Sequence, residues 1–596
     1  MQSVSTAYKE EMSKTMRGQG YARITFNLID TDADEDCKLS DNDNLFFSSL
    51  SNLAKTDRVP VQSYATFEKN RLKMNGKQLI PSRSNFIPQG YVSSILSNAE
   101  CIYSKQPMIT IDFTKTHKVG ALTFVFDQST EDYPAELKII AYRNGVNLKE
   151  FTATGINNHS YILRESFIDF DKLEIIFVKS SKPFHRARIQ QIVFGMGIVF
   201  DNTNLAEFTQ SVEIDPIGRR LTSNSFDFSI INFNDMYNPD NPKGVWEAIE
   251  MQSPIKLEYG QRITNSNAIE WVLGGDYLLD ARPEVSDRIV KFKCRDMVAF
   301  MNNTFYKGKF RPQGISLYDL AVEVLEDANL PILYEGSKPY VVDDALKNIY
   351  TVAPLPLKKQ NECLQLIAHA ARCVLFTDRK GIVRLEQNKD IQNDLLIDFN
   401  TALKKPKIDK LPTLNAVKTK VYSYNPKAGV EELHKSKRLL EGVDSFIVEY
   451  SSATDINVAV SGNATVTYNC YGSACEVALT GNGEVEIIIT GRVLETSCSD
   501  VVVPVINADE NGEVEILENI LITNIIVAKE LGIFVRDYLL LRNTYTLDYR
   551  GNPELETNDI IYMESQFDPR FKSRVLKHAV KFNGGLKGSL IMKRMM

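Results

Sequence analysis

Met108-Ile109-Thr110-Ile111-Asp112-Phe113, then Gly120-Ala121-Leu122-Thr123-Phe124-Val125-Phe126, then Leu137-Lys138-Ile139-Ile140-Ala141-Tyr142 are short β-branched and aromatic runs, each closed by turn-forming residues. Two more of the same kind follow, Lys172-Leu173-Glu174-Ile175-Ile176-Phe177-Val178 and Arg188-Ile189-Gln190-Gln191-Ile192-Val193-Phe194. Strand after strand at this spacing, with no helical period between them, predicts an all-β sandwich over residues 85–198.

On the N-terminal side, residues 1–84 read as a β-rich attachment segment. Tyr21 to Ile29 alternates like a strand, and the chain then turns acidic from Asp30 to Asp36. Asp30, Asp32 and Asp34 have the spacing that opens a calcium loop. Glu35 stands where that loop needs glycine and Asp41 where it needs a bidentate glutamate, so a solvated turn is expected instead.

On the C-terminal side, Gly195 and Gly197 read as a hinge into a second β domain, 199–305, with alternation at Ser225-Phe226-Asp227-Phe228-Ser229-Ile230 and turns at Asn238-Pro239 and Asn241-Pro242. Residues 306–440 read as α+β. Ser316 caps a helix carrying Leu317, Leu320, Ala321, Val324 and Leu325 at helical spacing, a second helix covers 361–371, and a hairpin turns at Asp378-Arg379-Lys380-Gly381. A β-rich insert, 441–520, contains Gly462-Asn463 and Gly481-Asn482-Gly483, which suit tight hairpins. The last unit, 521–596, is a helix capped by Asn524 with Ile525, Ala528, Leu531 and Val535 along one stripe, followed by a closing β meander. The fold class expected is mainly β and multidomain, combining a sandwich or jelly-roll and small β-barrel-like domains with a small α+β domain.

At 596 residues the chain exceeds what one core can serve, and 43% hydrophobic with 24% charged residues describes a globular protein rather than a disordered or fibrous one. A net charge of -7 provides no basic footprint for nucleic acid, so no DNA or RNA partner is expected. The basic group Lys404, Lys405, Lys407 and Lys410 reads as a solvated loop. No apolar h-region opens the chain and no apolar run is long enough to span a membrane, which predicts synthesis in the cytoplasm and no membrane span. The eight cysteines form no Cys-x-x-Cys pair, so reduced, mostly buried thiols are the default. Cys470 and Cys475 are close enough to suggest a disulfide or a metal, but no histidine or second pair stands nearby to complete a zinc site.

None of the motifs that carry chemistry is present: no nucleophile elbow, no phosphate-binding loop, no His-Glu-x-x-His. No catalytic residue, metal or cofactor is therefore assigned, and the chain is expected not to be an enzyme. Paired carboxylates could still cleave a glycosidic bond, because that mechanism depends on a separation in space. Binding a sugar needs less, namely an aromatic face and a few fixed polar groups. The sandwich loops offer both at Asp132-Tyr133-Pro134 and Pro183-Phe184-His185-Arg186, which makes Tyr133, His185 and Arg186 the candidate carbohydrate-binding residues. The alternative for each is that it only packs its loop or pairs with an acid.

Taken together, Pro107 to Phe113, Gly120 to Asp127 and Tyr133 to Ile139 resemble a discoidin-like domain, the module also known from coagulation factors. The resemblance implies a jelly-roll whose loop tips bind carbohydrate, although this region has no tryptophan. The run Arg536 to Arg542, then Asp548-Tyr549-Arg550-Gly551-Asn552-Pro553-Glu554-Leu555 onward, and the close from Arg574 to Leu590 resemble tail proteins of Firmicutes phages and related prophage particles. Ala65-Thr66-Phe67-Glu68-Lys69-Asn70-Arg71 adds a match near the N-terminus. These resemblances imply a tail-hub or baseplate component in the virion tail, assembled in the host cytoplasm. Its partners would be other tail proteins, copies of itself in a trimer or hexamer ring, and a host-surface carbohydrate. Hubs of this type commonly carry a peptidase or lysozyme after the hub region. None follows here, so no built-in wall hydrolysis is expected. The competing expectations are a tail-associated glycan hydrolase and a sandwich that serves only as a spacer between proteins.

Overall fold

The computed structural model describes the chain except for residues 15, 30, 51–52, 55–64, 67, 69–89, 120, 128–129, 164, 166, 242–244, 247–248, 265–267, 332, 334–337, 391, 509–510 and 596. Phe67 and Lys69 to Arg71 of the N-terminal match lie outside the described residues. The fold is mainly β with a small helical part.

One large sheet forms the body. Its path runs from the edge strand Lys407–Lys410 through Asn543–Tyr549, Leu586–Arg594 and Phe571–Phe582 to Leu205–Glu213, and on through Ser225–Ile231, Ile289–Arg295, Ile269–Leu279 and Pro254–Arg262 to Gly20–Ile29 and Gln191–Phe200. Strands from near both ends of the sequence thus share one hydrogen-bonded ladder. The junction is the antiparallel pairing of Leu205–Glu213 with Phe571–Phe582, where Phe208 and Phe582 stand opposite each other with their rings stacked at 5.4 Å. Alternation explains the rest. In Ser225–Ile231, Phe226, Phe228 and Ile230 turn inward, and Phe228 stacks on Phe292 of the neighbouring strand at 4.6 Å. Such aromatic pairs contribute about 0.5–1.5 kcal/mol beyond the area they bury.

The sandwich is a five-stranded sheet, in the order Lys38–Asp41, Met108–Val119, Phe167–Ser180, Pro134–Arg143, Val146–Thr154, closed over its core by Leu122–Val125, Ser160–Leu163 and the first part of Gln191–Phe200. The hinge expected at Gly195 and Gly197 is instead continuous strand. Residues Gln191 to Phe194 pair with the sandwich strand Leu122–Val125, and Gly195 to Phe200 pair with Gly20–Ile29 of the body. Glycine's freedom is used at Gly195, with φ of 140°, without breaking the ladder. The acidic segment expected to be a turn is a short helix, Thr31–Asp36. The Asp36 carboxylate accepts hydrogen bonds from the Lys115 N–H, the Thr114 N–H and hydroxyl, and lies 2.9 Å from His117 Nε2, fastening this helix to the sandwich.

The α+β unit follows its sequence closely. Ser316 caps Leu317–Asp327 by accepting from the Asp319 N–H, Gln360–Ala371 packs beside it, and the hairpin Cys373–Thr377 and Val383–Gln387 turns at Asp378 to Gly381. Helix Ile525–Leu540, capped by Asn524, covers one face of Leu414–Pro426 and the adjoining part of Ala474–Pro504. Lys407–Lys410, expected in a loop, is an edge strand beside Asn543–Tyr549. With Lys404, Lys405 and Pro406 before it, this edge is dressed in the residues that discourage further strand pairing.

The insert has an unexpected shape. The 31-residue strand Ala474–Pro504 pairs along one side with Glu431–Glu449 and along the other with Ala453–Ser461 and Ala464–Cys470. The connection 450–452 touches this strand twice: the Tyr450 N–H donates to the Ser473 carbonyl (3.0 Å), and the Leu494 N–H donates to the Ser452 carbonyl (2.8 Å). In a straight strand those two points would be about 70 Å apart. The ribbon is therefore folded over on itself, and Val477 and Leu479 meet Val485 and Ile487 in a common core. The fold line crosses all three strands at glycines with left-handed φ, Gly442 (98°), Gly462 (115°) and Gly483 (98°). Gly462-Asn463 and Gly481-Asn482-Gly483 are thus corners, not hairpin turns: Glu431–Glu449 stays paired through the bend, and on the other side the pairing of Ala453–Ser461 resumes with Ala464–Cys470 along the same central strand. Cys470 and Cys475, expected as reduced thiols, stand opposite each other at the one true hairpin and form a disulfide.

The body, the α+β unit and the closing meander meet at a cavity of about 280 Å³ lined by Asp276, Asp296, Arg379, Arg384, Asp559 and His578 among others. Arg379, from the hairpin tip, donates to the Leu273 carbonyl at 2.6 Å and to the Leu555 carbonyl at 2.8 Å, and its Nε lies 3.4 Å from Glu556. The buried His578 lies between the Tyr549 hydroxyl (2.8 Å) and the Leu555 carbonyl (3.1 Å), so Nδ1 donates, Nε2 accepts and the ring is neutral. Burial, aided by the charge of Arg379, lowers its pKa to about 3. Unfolded, this group titrates near 6.5 and binds its proton first. Its contribution to stability is therefore complete above that pH and is lost as pH falls toward about 3, at about 1.4 kcal/mol per pH unit. His578→Gln can keep both hydrogen bonds but cannot titrate. It is expected to remove one proton's worth of slope from the stability of the body between pH 6 and 4, as read by urea unfolding. An unchanged slope would show that His578 is not the titrating group.

Candidate functional site

The sandwich end farthest along its strands gathers the loops singled out above. Pro134–Arg143 begins just after Asp132 and Tyr133, and Arg186–Ile189 begins just after the turn Ser181 to His185. Ser97 stitches the turn down: its hydroxyl donates to the Lys182 carbonyl (3.1 Å) and accepts from the His185 N–H (3.1 Å), while its own N–H donates to the His185 carbonyl (2.9 Å). The Ser181 N–H donates to the Tyr133 carbonyl (3.2 Å), and Lys182 Nζ donates to the Glu131 carbonyl (3.1 Å). Two loops distant in sequence are thereby fixed as one rim.

Tyr133, His185 and Arg186 are brought together here, and none of them is fully exposed. His185 is buried, with Nδ1 2.8 Å from an Asp132 oxygen. Tyr133 is half-buried, its ring packed toward the sandwich core 6.2 Å from Phe126. Arg186 is half-buried, with Nε 3.1 Å from Glu68 and Nη1 donating to the Ser93 carbonyl. Two residues that the sequence did not single out organise the rest. Arg188, only 1% exposed, bridges Glu68 (2.6 Å) and Asp132 (3.1 Å) and lies 3.9 Å from Asp127. Phe184 projects from the rim, 41% exposed, with a left-handed φ of 63°. A bulky residue pays strain for that conformation, and such strain concentrates at functional loops. The signal for Phe184 was present in the sequence, an aromatic directly after proline inside a turn.

Glu68, Asp132 and His185 have ligand atoms close enough to share a metal ion. The two carboxylates already hold the guanidinium groups of Arg186 and Arg188, with Lys182 3.6 Å from Asp132. The charges balance within the protein, and a cation would have to displace both arginines. The arrangement therefore supports a rigid platform beneath an aromatic rim. At the cavity by Arg379 the polar groups are likewise engaged within the protein: Arg384 pairs with Asp378 and Glu386, and Asp296 accepts from the Asn224 N–H.

No family model matches the chain, and no curated protein matches it. Among solved structures the chain is similar to the 43 kDa tail protein of prophage MuSo2 from Shewanella oneidensis, with 11% identity over 66% of this chain and 95% of that one and a TM-score of 0.38. It is also similar to prophage tail protein gp18 from Listeria monocytogenes EGD-e, with 7% identity over 66% and 91% and a TM-score of 0.36. A family 32 CBM from C. perfringens NanJ, solved in complex with galactose, matches 30% of this chain and 99% of its own length at 12% identity with a TM-score of 0.18.

Proposed function

We propose that the chain is a structural component of the tail tip or baseplate of a phage or phage-derived particle of Firmicutes type. In this reading it joins a ring at the end of the tail tube and holds a host-surface glycan through the discoidin-like sandwich. The observation that carries the reading is the strand Gln191–Phe200, which belongs to the sandwich at one end and to the body sheet at the other. A binding module with a fixed aromatic rim is thereby built rigidly onto a body suited to assembly. Partners on this reading are neighbouring tail proteins, further copies of the chain and a cell-surface carbohydrate.

Electron microscopy of assembled particles with this chain labelled tests the placement, and label away from the tail tip would overturn it. A glycan array probed with the full chain tests the adhesive part. For a glycan that binds, Phe184→Ala is expected to weaken binding about tenfold, equivalent to ~1.4 kcal/mol, with the circular dichroism of the wild type retained. Tyr133→Ala, which reaches the rim from the core side, should do less. Binding indifferent to Phe184 would remove the rim from the argument, and steady release of reducing ends from wall polysaccharide would replace the structural reading with a hydrolase.

A further inference from the structure

The folded-over insert leaves two long strand edges without a partner among the described residues. One is Glu431–Glu449, and the other is the line Ala453–Ser461 and Ala464–Cys470; both are paired only to Ala474–Pro504 between them. Open edges invite further strands, and proteins usually blunt them with lysine, proline or short length. The edge at Lys407–Lys410 is blunted in that way. Residues 453–470 are not: this stretch contains no lysine, arginine or proline, and its one charge, Asp455, is turned to Arg492 at 3.3 Å. A long, uncharged, β-branched edge of this kind is an aggregation hazard unless something covers it. The opposite edge adds exposed aliphatic side chains on either side of its corner, Leu439 (74%) and Val443 (73%), and its cations Lys435, Lys437 and Arg438 are each paired within the ribbon, to Glu486, Glu484 and Asp444.

We infer that the edge formed by residues 453–470 pairs with the edge Glu431–Glu449 of a second copy of this chain. Shape singles out that occupant. Both edges follow the same central strand, so both bend at the same line, at Gly442 on one side and Gly462 on the other, opposite Gly481 to Gly483. A straight strand from another protein would match only half of either edge, whereas a second ribbon continues both halves across the fold. Both edges run antiparallel to the central strand, so the strands meeting between copies run in the same direction. A contact between two different surfaces of one chain is head-to-tail, the kind that closes into a ring when the rotation permits. The inference thus names the interface for the ring proposed above and rests on that reading.

Cross-linking tests it directly. Ser445 and Thr467 lie in one row on either side of Ala478, two strand spacings or about 10 Å apart, too far for a disulfide within one chain. Between copies in the proposed register they are neighbours. The full chain carrying Ser445→Cys with Thr467→Cys is expected to form disulfide-linked ladders on mild oxidation, and neither single variant should do so beyond the wild type. Thr465→Lys with Thr467→Lys, at exposed edge positions, is expected to weaken association by at least a hundredfold in sedimentation velocity while circular dichroism and thermal unfolding stay as in the wild type. Absence of ladders from an oligomeric double-cysteine variant, or wild-type sedimentation by a folded double-lysine variant, would overturn this interface while leaving the ring itself standing. A wild-type chain that stays monomeric at the highest soluble concentration would overturn the interface, and the ring would then be judged by imaging of particles.

Discussion

Arg379→Ala is expected to destabilise the body by about 1–3 kcal/mol. The guanidinium reaches from the hairpin of the α+β unit to the carbonyl of Leu273 in the body and that of Leu555 in the closing segment, with Glu556 beside it. Truncation takes this donor from the Leu273 carbonyl and leaves the Leu555 carbonyl with His578 Nδ1 alone, and losing a charged donor from a buried seam in this way costs about 1–3 kcal/mol. Arg379→Lys should recover only part, because one ammonium cannot present two divergent N–H groups with the geometry of a planar fork. Both tryptophans, Trp246 and Trp271, lie in residues of the body, so their fluorescence during urea unfolding reports this transition. A midpoint unchanged from the wild type would mean that the seam is held by packing alone.

A larger loss is expected in the sandwich from Arg188→Met. Removing this buried guanidinium leaves Glu68 and Asp132 in the interior without their main counter-charge, at a cost of about 3–5 kcal/mol. Replacing all three with apolar residues of similar size should cost much less, because the desolvation of the charges disappears with them. Hydrogen exchange followed by mass spectrometry suits the measurement, since the sandwich has no tryptophan. Amides of Pro134–Arg143 and Phe167–Ser180 are expected to exchange at least about a hundredfold faster in Arg188→Met and to return most of the way in the triple variant. Equal exchange in the single and triple variants would show that the network contributes packing rather than charge.

Much of the fold can be read from local pattern. The strands of the sandwich, the helix caps at Ser316 and Asn524 and the hairpin at Asp378 to Gly381 follow from period, capping and turn chemistry, all of which act over a few residues. Glycine was the point of failure. The φ freedom that permits a hairpin turn also permits a corner at Gly462 or an unbroken strand at Gly195, and only long-range pairing decides among them. The disulfide was hidden for the same reason, since Cys470 and Cys475 face each other only once the true hairpin is placed. At the rim, turn residues between strands locate Tyr133, His185 and Arg186 on loops. Their burial depends on Glu68 and Arg188, which reach them from elsewhere in the chain and leave no local signature.

The unbroken strand Gln191–Phe200 has a mechanical consequence. Its first four residues are hydrogen-bonded into the sandwich and its last six into the body. A pull along its length loads those bonds side by side and must break them together, whereas a tug on a flexible tether is met by slack before any bond is strained. Force applied at the rim would therefore reach the body as through a rod, and torque at the sandwich would reach the sheet in which strands from near both ends of the sequence are joined.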